Sequence, residues 1–209
     1  MIGDKLVIES YHEENGRRVA EACLPKIKDA NRIFTLTVAG ESGSGKSETA
    51  ATTAHELEKA GYRVAILGQD DYFRLPPKSN SQKRKEDISW VGTGEVRLDL
   101  MDAHLKAAKE GQISIVKPNV LFEENTITEE TVSLEGIHVV IAEGTYTTSL
   151  NEADFHAFID KTYHDTLSHR NKRARDETEG AFIEAVLEIE HRIISALKSR
   201  ADIVLPKSY

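Results

Sequence analysis

The sequence predicts an α/β fold, a parallel sheet flanked by helices, and three observations carry that prediction. Apolar runs rich in β-branched residues recur at 33–39, 62–68, 137–142 and 201–205, each short enough to be a buried strand. Helical patterns lie between them, at 46–59, 95–110 and 181–199. The first run and the first helix are separated by Gly40-Glu41-Ser42-Gly43-Ser44-Gly45-Lys46-Ser47, a glycine turn with the spacing G-x-x-x-x-G-K-S. Strand, turn, helix and strand within about thirty-five residues demand a right-handed crossover, and so a parallel sheet.

That turn is the phosphate-binding loop of the P-loop NTPase-type sheet. Its glycines permit positive φ and let several N–H groups point at one anion, and the helix dipole adds positive charge at the same place. The segment from Gly40 to Glu48 is therefore the predicted nucleotide site, with Lys46 on the β- and γ-phosphates and the Ser47 hydroxyl on Mg²⁺.

The remaining elements follow in order. Residues 4–9 read as a short strand. Residues 15–30 read as a helix with Val19, Cys23 and Ile27 at steps of four, kinked or split at Pro25. Residues 1–32 are thus an N-terminal helical preamble to a P-loop domain over 33–209. After the second strand comes Gln69-Asp70-Asp71-Tyr72-Phe73. Ligands in parallel sheets sit at the carboxyl ends of the strands, so a carboxylate here meets both a metal and an acceptor hydroxyl. Asp70 is the candidate base, with Asp71 in reserve. Residues 74–94 lack periodicity and read as a long binding loop or lid, in which Asp87 and Trp90 are placed to read a polar and a flat ligand surface, or else to solvate and anchor the loop. A strand at 112–116 leads to Lys117-Pro118-Asn119, and 120–134 reads as a small β-hairpin standing off the sheet. The run at 137–142 ends in Glu143-Gly144, the form of a Walker-B strand whose carboxylate holds Mg²⁺ through water. His138, inside it, reads as a core or strand-edge residue. Residues 157–161 make another strand and lead into a helix over 165–176 carrying Arg170, Lys172, Arg173 and Arg175. This reads either as a solvated face or as a lid closing over a transferring phosphoryl group. The helix at 181–199 has Ile183, Val186, Leu187, Ile189, Ile193, Ile194 and Leu197 as its expected buried stripe.

Composition narrows the classes. A net charge of −8 over 209 residues argues against a general nucleic-acid binder. A single cysteine, Cys23, excludes an internal disulfide framework and suits a reducing compartment; it reads as a half-buried helix residue. With no signal-peptide pattern and no membrane span, the expectation is a soluble, cytoplasmic protein.

With the phosphate loop, Gln69-Asp70-Asp71-Tyr72-Phe73, Val140-Ile141-Ala142-Glu143-Gly144 and Arg173-Ala174-Arg175-Asp176 in this order, the chain resembles the uridine kinase family over about residues 33–205. These P-loop kinases also include phosphoribulokinase and a bacterial type of pantothenate kinase. The resemblance implies ATP or GTP as donor and Mg²⁺ as cofactor. It implies Asp70 as the carboxylate that activates the acceptor, Ser47, Glu143 and Asp70 around the metal, and a lid near 165–180. Lys172 and Arg175 fall where the family keeps two lid arginines; the lysine is a departure that leaves Arg170 or Arg173 to supply a bidentate contact. On the acceptor side the candidates are Asp71 and Tyr72 and, within an insertion of about 74–134, Asp87, Trp90, Lys117 and Asn119, with Asp87 standing in for the family's ribose-binding residue. Here the family's His-Pro stretch is missing, and Lys117-Pro118-Asn119-Val120 replaces its proline and base-contacting aromatic.

The expectation is a Mg²⁺-dependent small-molecule kinase that phosphorylates a hydroxyl, foremost of a nucleoside. The family likeness suggests self-association, with the N-terminal helix as an available surface. A non-nucleoside alcohol such as a sugar phosphate or a pantothenate-like acid is the alternative, favoured by Lys117 and Lys83 to Lys85 if the acceptor is anionic. A nucleotide-driven regulatory module is the rival from another class, but the guanine-reading Asn-Lys-x-Asp of GTP switches is not found in the chain.

Overall fold

The computed structural model describes residues 6–165 and 180–206. In chain order the elements are α1 (Ser10–Asp29), β1 (Phe34–Gly40), α2 (Lys46–Lys59), β2 (Val64–Gly68), α3 (Pro77–Glu86), α4 (Leu98–Lys109), β3 (Ser114–Leu121), β4 (Thr126–Ser133), β5 (Val139–Gly144), β6 (Phe155–Ile159), α5 (Gly180–Leu197) and β7 (Ile203–Leu205).

Five strands form one parallel sheet in the order β2-β5-β1-β6-β7. β1 is buried along its whole length because β5 and β6 cover both its edges. Alternate residues feed two cores. Leu36, Val38, Val139, Ile141, Phe155 and Ile159 face α1 and α2, while Ala39, Val140, Ala142 and Phe158 face α4 and α5. Helices on both faces explain why the strands read as unbroken apolar runs. The chain leaves β1 toward β2 on one side and reaches β6 and β7 on the other. The carboxyl end of β1 is therefore a topological switch point, and the glycine turn sits there.

Several expectations change. The described part of the predicted 4–9 strand, residues 6–9, has no regular structure. α1 is one continuous helix through Pro25 and is not split into two elements. Val19, Ala20, Cys23 and Ile27 bury on both sides of the proline, so packing outweighs one missing N–H donor. Cys23 is fully rather than half buried. Residues 74–94 are not an unstructured loop: they hold α3 and two short 3-10 turns, at Ile88–Trp90 and Thr93–Glu95. The hairpin is longer and begins earlier than expected, because β3 itself is one arm, pairing antiparallel from Ser114↔Ser133 to Leu121↔Thr126. Asn125, at φ 50, turns the tip. The strand expected at 157–161 lies two residues earlier, as β6. On α5 only Val186 and Ile194 are fully buried, and Ile183 is 41% exposed. The cationic residues Arg170, Lys172, Arg173 and Arg175 lie outside the described residues.

Candidate active site

The phosphate loop takes the backbone its glycines allow. Gly43 and Gly45 have φ of 75° and 91°, and Gly45 caps the start of α2 in the left-handed region. At Gly45 a side chain is also excluded by space, since a Cβ would lie 2.5 Å from His12 Nε2 on α1. The first N–H groups of α2 have no intrahelical acceptor and point out of the helix, so loop and helix together present an anion cradle. Within the loop Lys46 Nζ donates to the Glu41 carbonyl at 2.9 Å, and Ser44 N donates to the same oxygen at 3.1 Å.

Sheet register brings the remaining chemistry to this cradle. Gly68 of β2 and Val38 of β1 both flank Glu143, at the end of β5. Ser47 Oγ donates to Glu143 Oε1 at 3.2 Å. Burial pushes the Glu143 carboxyl up to about 7, reinforced by the Asp70 charge and opposed by Lys46 and the Ser47 hydrogen bond. Glu143, Asp70, Lys46 and Ser47 thus act on one small volume, although they come from four segments. A hydroxyl and two carboxylates form a hard-oxygen donor set, which fits Mg²⁺ held by few protein ligands and completed by substrate phosphates.

The two adjacent aspartates part company. Both belong to the 3-10 turn Gln69–Tyr72 that follows β2. Asp70 is exposed and lines a cavity of about 190 Å³ with Phe73, Leu75 and Pro77. Asn80 and Arg84 of α3 and Phe122 of the hairpin close the other side. Asp71 is buried, with Lys117 Nζ at 2.8 Å and Val120 N at 3.2 Å, so it fastens the hairpin to the turn. Lys117 is held a second time by Glu130 at 3.0 Å.

The other acceptor-side positions lie off this cavity's lining. Tyr72 is wholly buried with its hydroxyl 2.9 Å from His104 Nδ1, and burial drives the phenol pKa up. Asp87 is exposed and accepts from the Ser89 hydroxyl at 2.6 Å. Trp90 donates its indole N–H to Asn80 Oδ1 at 2.8 Å, while Asn119 is half-buried in β3. Glu48, in the first turn of α2, is buried. Asn80 and Arg84 went unrecognised in the sequence, although Arg84 stands in the basic run Lys83 to Lys85; one helical turn apart, they share one face of α3.

A further pair of contacts was not signalled by any motif. Glu41, the second residue of the phosphate loop, is buried and accepts from Tyr163 N at 2.6 Å, and His191 Nδ1 of α5 lies 2.6 Å from its other oxygen. One loop carboxylate therefore holds both the chain leaving β6 and the C-terminal helix.

A glycine loop on β1, a carboxylate at the end of β5 and a carboxylate just after β2, all at the switch point of a parallel sheet, define a P-loop kinase-type site. The chain belongs to the Phosphoribulokinase / Uridine kinase family, whose pattern matches residues 35–207. It is therefore a phosphotransferase acting on a hydroxyl group. Among curated relatives it is 27% identical over 191 residues to a uridine kinase of Yersinia pestis (strain Pestoides F), covering 85% of this chain and 89% of that one. It is 29% identical over 190 residues to the bifunctional alpha-galactosidase/sucrose kinase AgaSK of Mediterraneibacter gnavus; that match covers 85% of this chain but 20% of the relative's length. In fold it is similar to a putative fructose transport system kinase from Silicibacter sp. TM1040, with a TM-score of 0.69, 15% identity, and coverage of 93% of this chain and 98% of the other. Among the described residues, no helix is long and apolar enough to cross a membrane.

Proposed function

We propose that the protein transfers the γ-phosphoryl group of ATP, with GTP as the alternative donor, to a hydroxyl of a small acceptor seated beside Asp70. The observation that carries this reading is the convergence of Lys46, Ser47, Glu143 and Asp70, with an open cavity on Asp70's side. Lys46 and the loop N–H groups bind and orient the phosphates. Ser47 and Glu143 are the residues that would hold Mg²⁺, which when bound neutralises phosphate charge. Asp70 Oδ accepts the proton of the attacking hydroxyl, for which its exposure at the cavity leaves it accessible. The protein would do this work in the cytoplasm.

A nucleoside acceptor is the reading supported by the uridine kinase relatives. A non-nucleoside alcohol is the second reading, favoured by the small cavity with Arg84 in its wall and by the sucrose kinase relative. Labelled ATP offered with each acceptor and with none tests the whole reading. Asp70→Asn is expected to lower kcat by about 10²–10⁴ while nucleotide still binds. Full transfer by that variant would remove Asp70 from the mechanism, and hydrolysis indifferent to every acceptor would sink the kinase reading.

A further inference from the structure

Behind the cavity lies a buried polar cluster that phosphate binding and the Asp70 base do not use. Glu95 is fully buried and grips Arg84 through two bonds, Nε at 2.7 Å and Nη2 at 2.6 Å. It also accepts from Asn80 Nδ2 at 2.8 Å and Gly92 N at 3.0 Å. Arg84 Nη2 reaches Glu190 of α5 at 3.0 Å. The guanidinium plane is thus fixed on one edge, while Nη1 has no partner among the described residues and Arg84 lines the cavity. The Tyr146 hydroxyl, buried and without a hydrogen-bond partner among the described residues, lies within electrostatic reach of Glu190, Glu95 and Arg84. A rigid arginine whose Nη1 edge faces a cavity that also holds Asp70, Asn80, Phe73, Leu75, Pro77 and Phe122 is a recognition element and not merely a brace.

Resting on the phosphotransferase reading above, we propose that Arg84 binds the acceptor, and that this acceptor is an uncharged polyhydroxy compound of one ring, a neutral monosaccharide or close equivalent. Charge decides the first part. Glu95 and Glu190 flank one guanidinium and Asp70 lines the same cavity, so an added phosphate or carboxylate meets an already compensated cation. Lys117, on the hairpin, is spent on Asp71 and Glu130. Burial, with the Glu95 charge adding to it and Arg84 opposing, raises the Glu190 pKa, and the two bonds to Glu95 compensate Arg84 on their own. Size decides the second part. A cavity of about 190 Å³ falls below the ~300 Å³ at which sites for larger, drug-sized ligands begin, and suits one ring better than a base and ribose. Hydroxyls meet Asp70 and Arg84 Nη1, while the C–H face of a sugar ring lies against Phe122.

The test is phosphoryl transfer from labelled ATP by the full chain to D-fructose, D-glucose and D-ribose, to uridine and cytidine, and to D-glycerate and D-ribulose 5-phosphate. At least one neutral monosaccharide is expected to exceed every nucleoside and every anion by about tenfold or more in kcat/KM. Arg84→Met is expected to raise the KM for that sugar about tenfold or more, with the KM for ATP unchanged, and Arg84→Lys is expected to recover part of the loss. Phe122→Ala, at the half-exposed hairpin turn, provides a second arm should the Arg84 variants fail to fold, and predicts the same selective rise in sugar KM. Transfer confined to uridine, cytidine or the anionic acceptors, or to none of the sugars, overturns the proposal; so does a Phe122→Ala variant whose sugar KM is unaltered. These outcomes leave the kinase reading standing, because that reading fails only on acceptor-independent hydrolysis.

Discussion

At the scale of single residues, Glu143 illustrates a conflict between function and stability. Its carboxyl is held among the sheet ends with the Asp70 charge nearby, and its pKa rises from 4.5 to about 7. Between those values the folded protein retains a proton that the unfolded chain has released, so stability falls as pH rises through the window and levels off above it. Allowing for partial solvent contact, the cost at pH 8 is on the order of 2 kcal/mol. Glu143→Gln removes the titration while retaining an acceptor for Ser47 Oγ. That variant is expected to melt higher than the parent at pH 8 in the absence of nucleotide and metal, to match it near pH 4.5, and to lose activity. Calorimetry across pH 4.5–8 checks this; parallel melting curves at all pH values would show that Glu143 is not strained in the fold. Asp70 and Asp71 make the complementary point. They are adjacent and chemically identical, yet one lines a cavity and the other clamps a hairpin, because successive residues of a tight turn face different surroundings.

At the scale of elements, α5 is tied to the donor side by His191 and to the acceptor side by Glu190, two consecutive residues. His191→Phe preserves the ring against Tyr163 but removes the bond to Glu41. It is expected to raise the KM for ATP several-fold, and a cycle with Glu41→Gln is expected to give a coupling of about 1 kcal/mol or more. Coupling within about 0.3 kcal/mol of zero would mean that α5 merely rests on the loop. The legibility of the elements follows from what each one packs against. β1 and β5 were visible because strands covered on both faces leave an unbroken apolar run in the sequence. α3 was not, since Pro-Lys-Ser-Asn-Ser-Gln-Lys-Arg-Lys-Glu contains no apolar stripe. Its anchors are polar instead, Asn80 and Arg84 on buried Glu95, and hydrophobic periodicity carries no signal for such a helix. The site divides along the same line. Lys46 and Ser47 open α2, Asp70 follows β2 and Glu143 ends β5, and each was readable within its own segment. The cavity wall joins Asp70, Phe73, Leu75 and Pro77 to Asn80, Arg84 and Phe122, which no local spacing connects.

At the scale of the whole molecule, the N-terminal helix belongs to the same core as the kinase sheet. Val19, Ala20, Cys23 and Ile27 pack with Leu36, Val38, Ala50 and Leu57 in one cluster. The crossing of α1 over α2 is close enough that a Cβ at Gly16 would lie 2.4 Å from Thr52 Oγ1 and 2.7 Å from the Thr52 carbonyl carbon. Thr52 Oγ1 also donates to the His12 carbonyl at 2.8 Å, and the His12 ring fills the space over Gly45. Position therefore passes from the crossing, through His12, to the loop that holds phosphate. Gly16→Ala must push backbone from backbone, and is expected to cost about 1–3 kcal/mol and lower the melting temperature by roughly 2–12 °C. If the helix also sets the loop, the same variant raises the KM for ATP and leaves the acceptor KM unchanged, whereas Gly94→Ala, which meets nothing within 4 Å, alters neither stability nor nucleotide binding by a comparable amount. A destabilised Gly16→Ala protein that still binds ATP with the parental constant would restrict α1 to covering the core, with no part in shaping the phosphate loop.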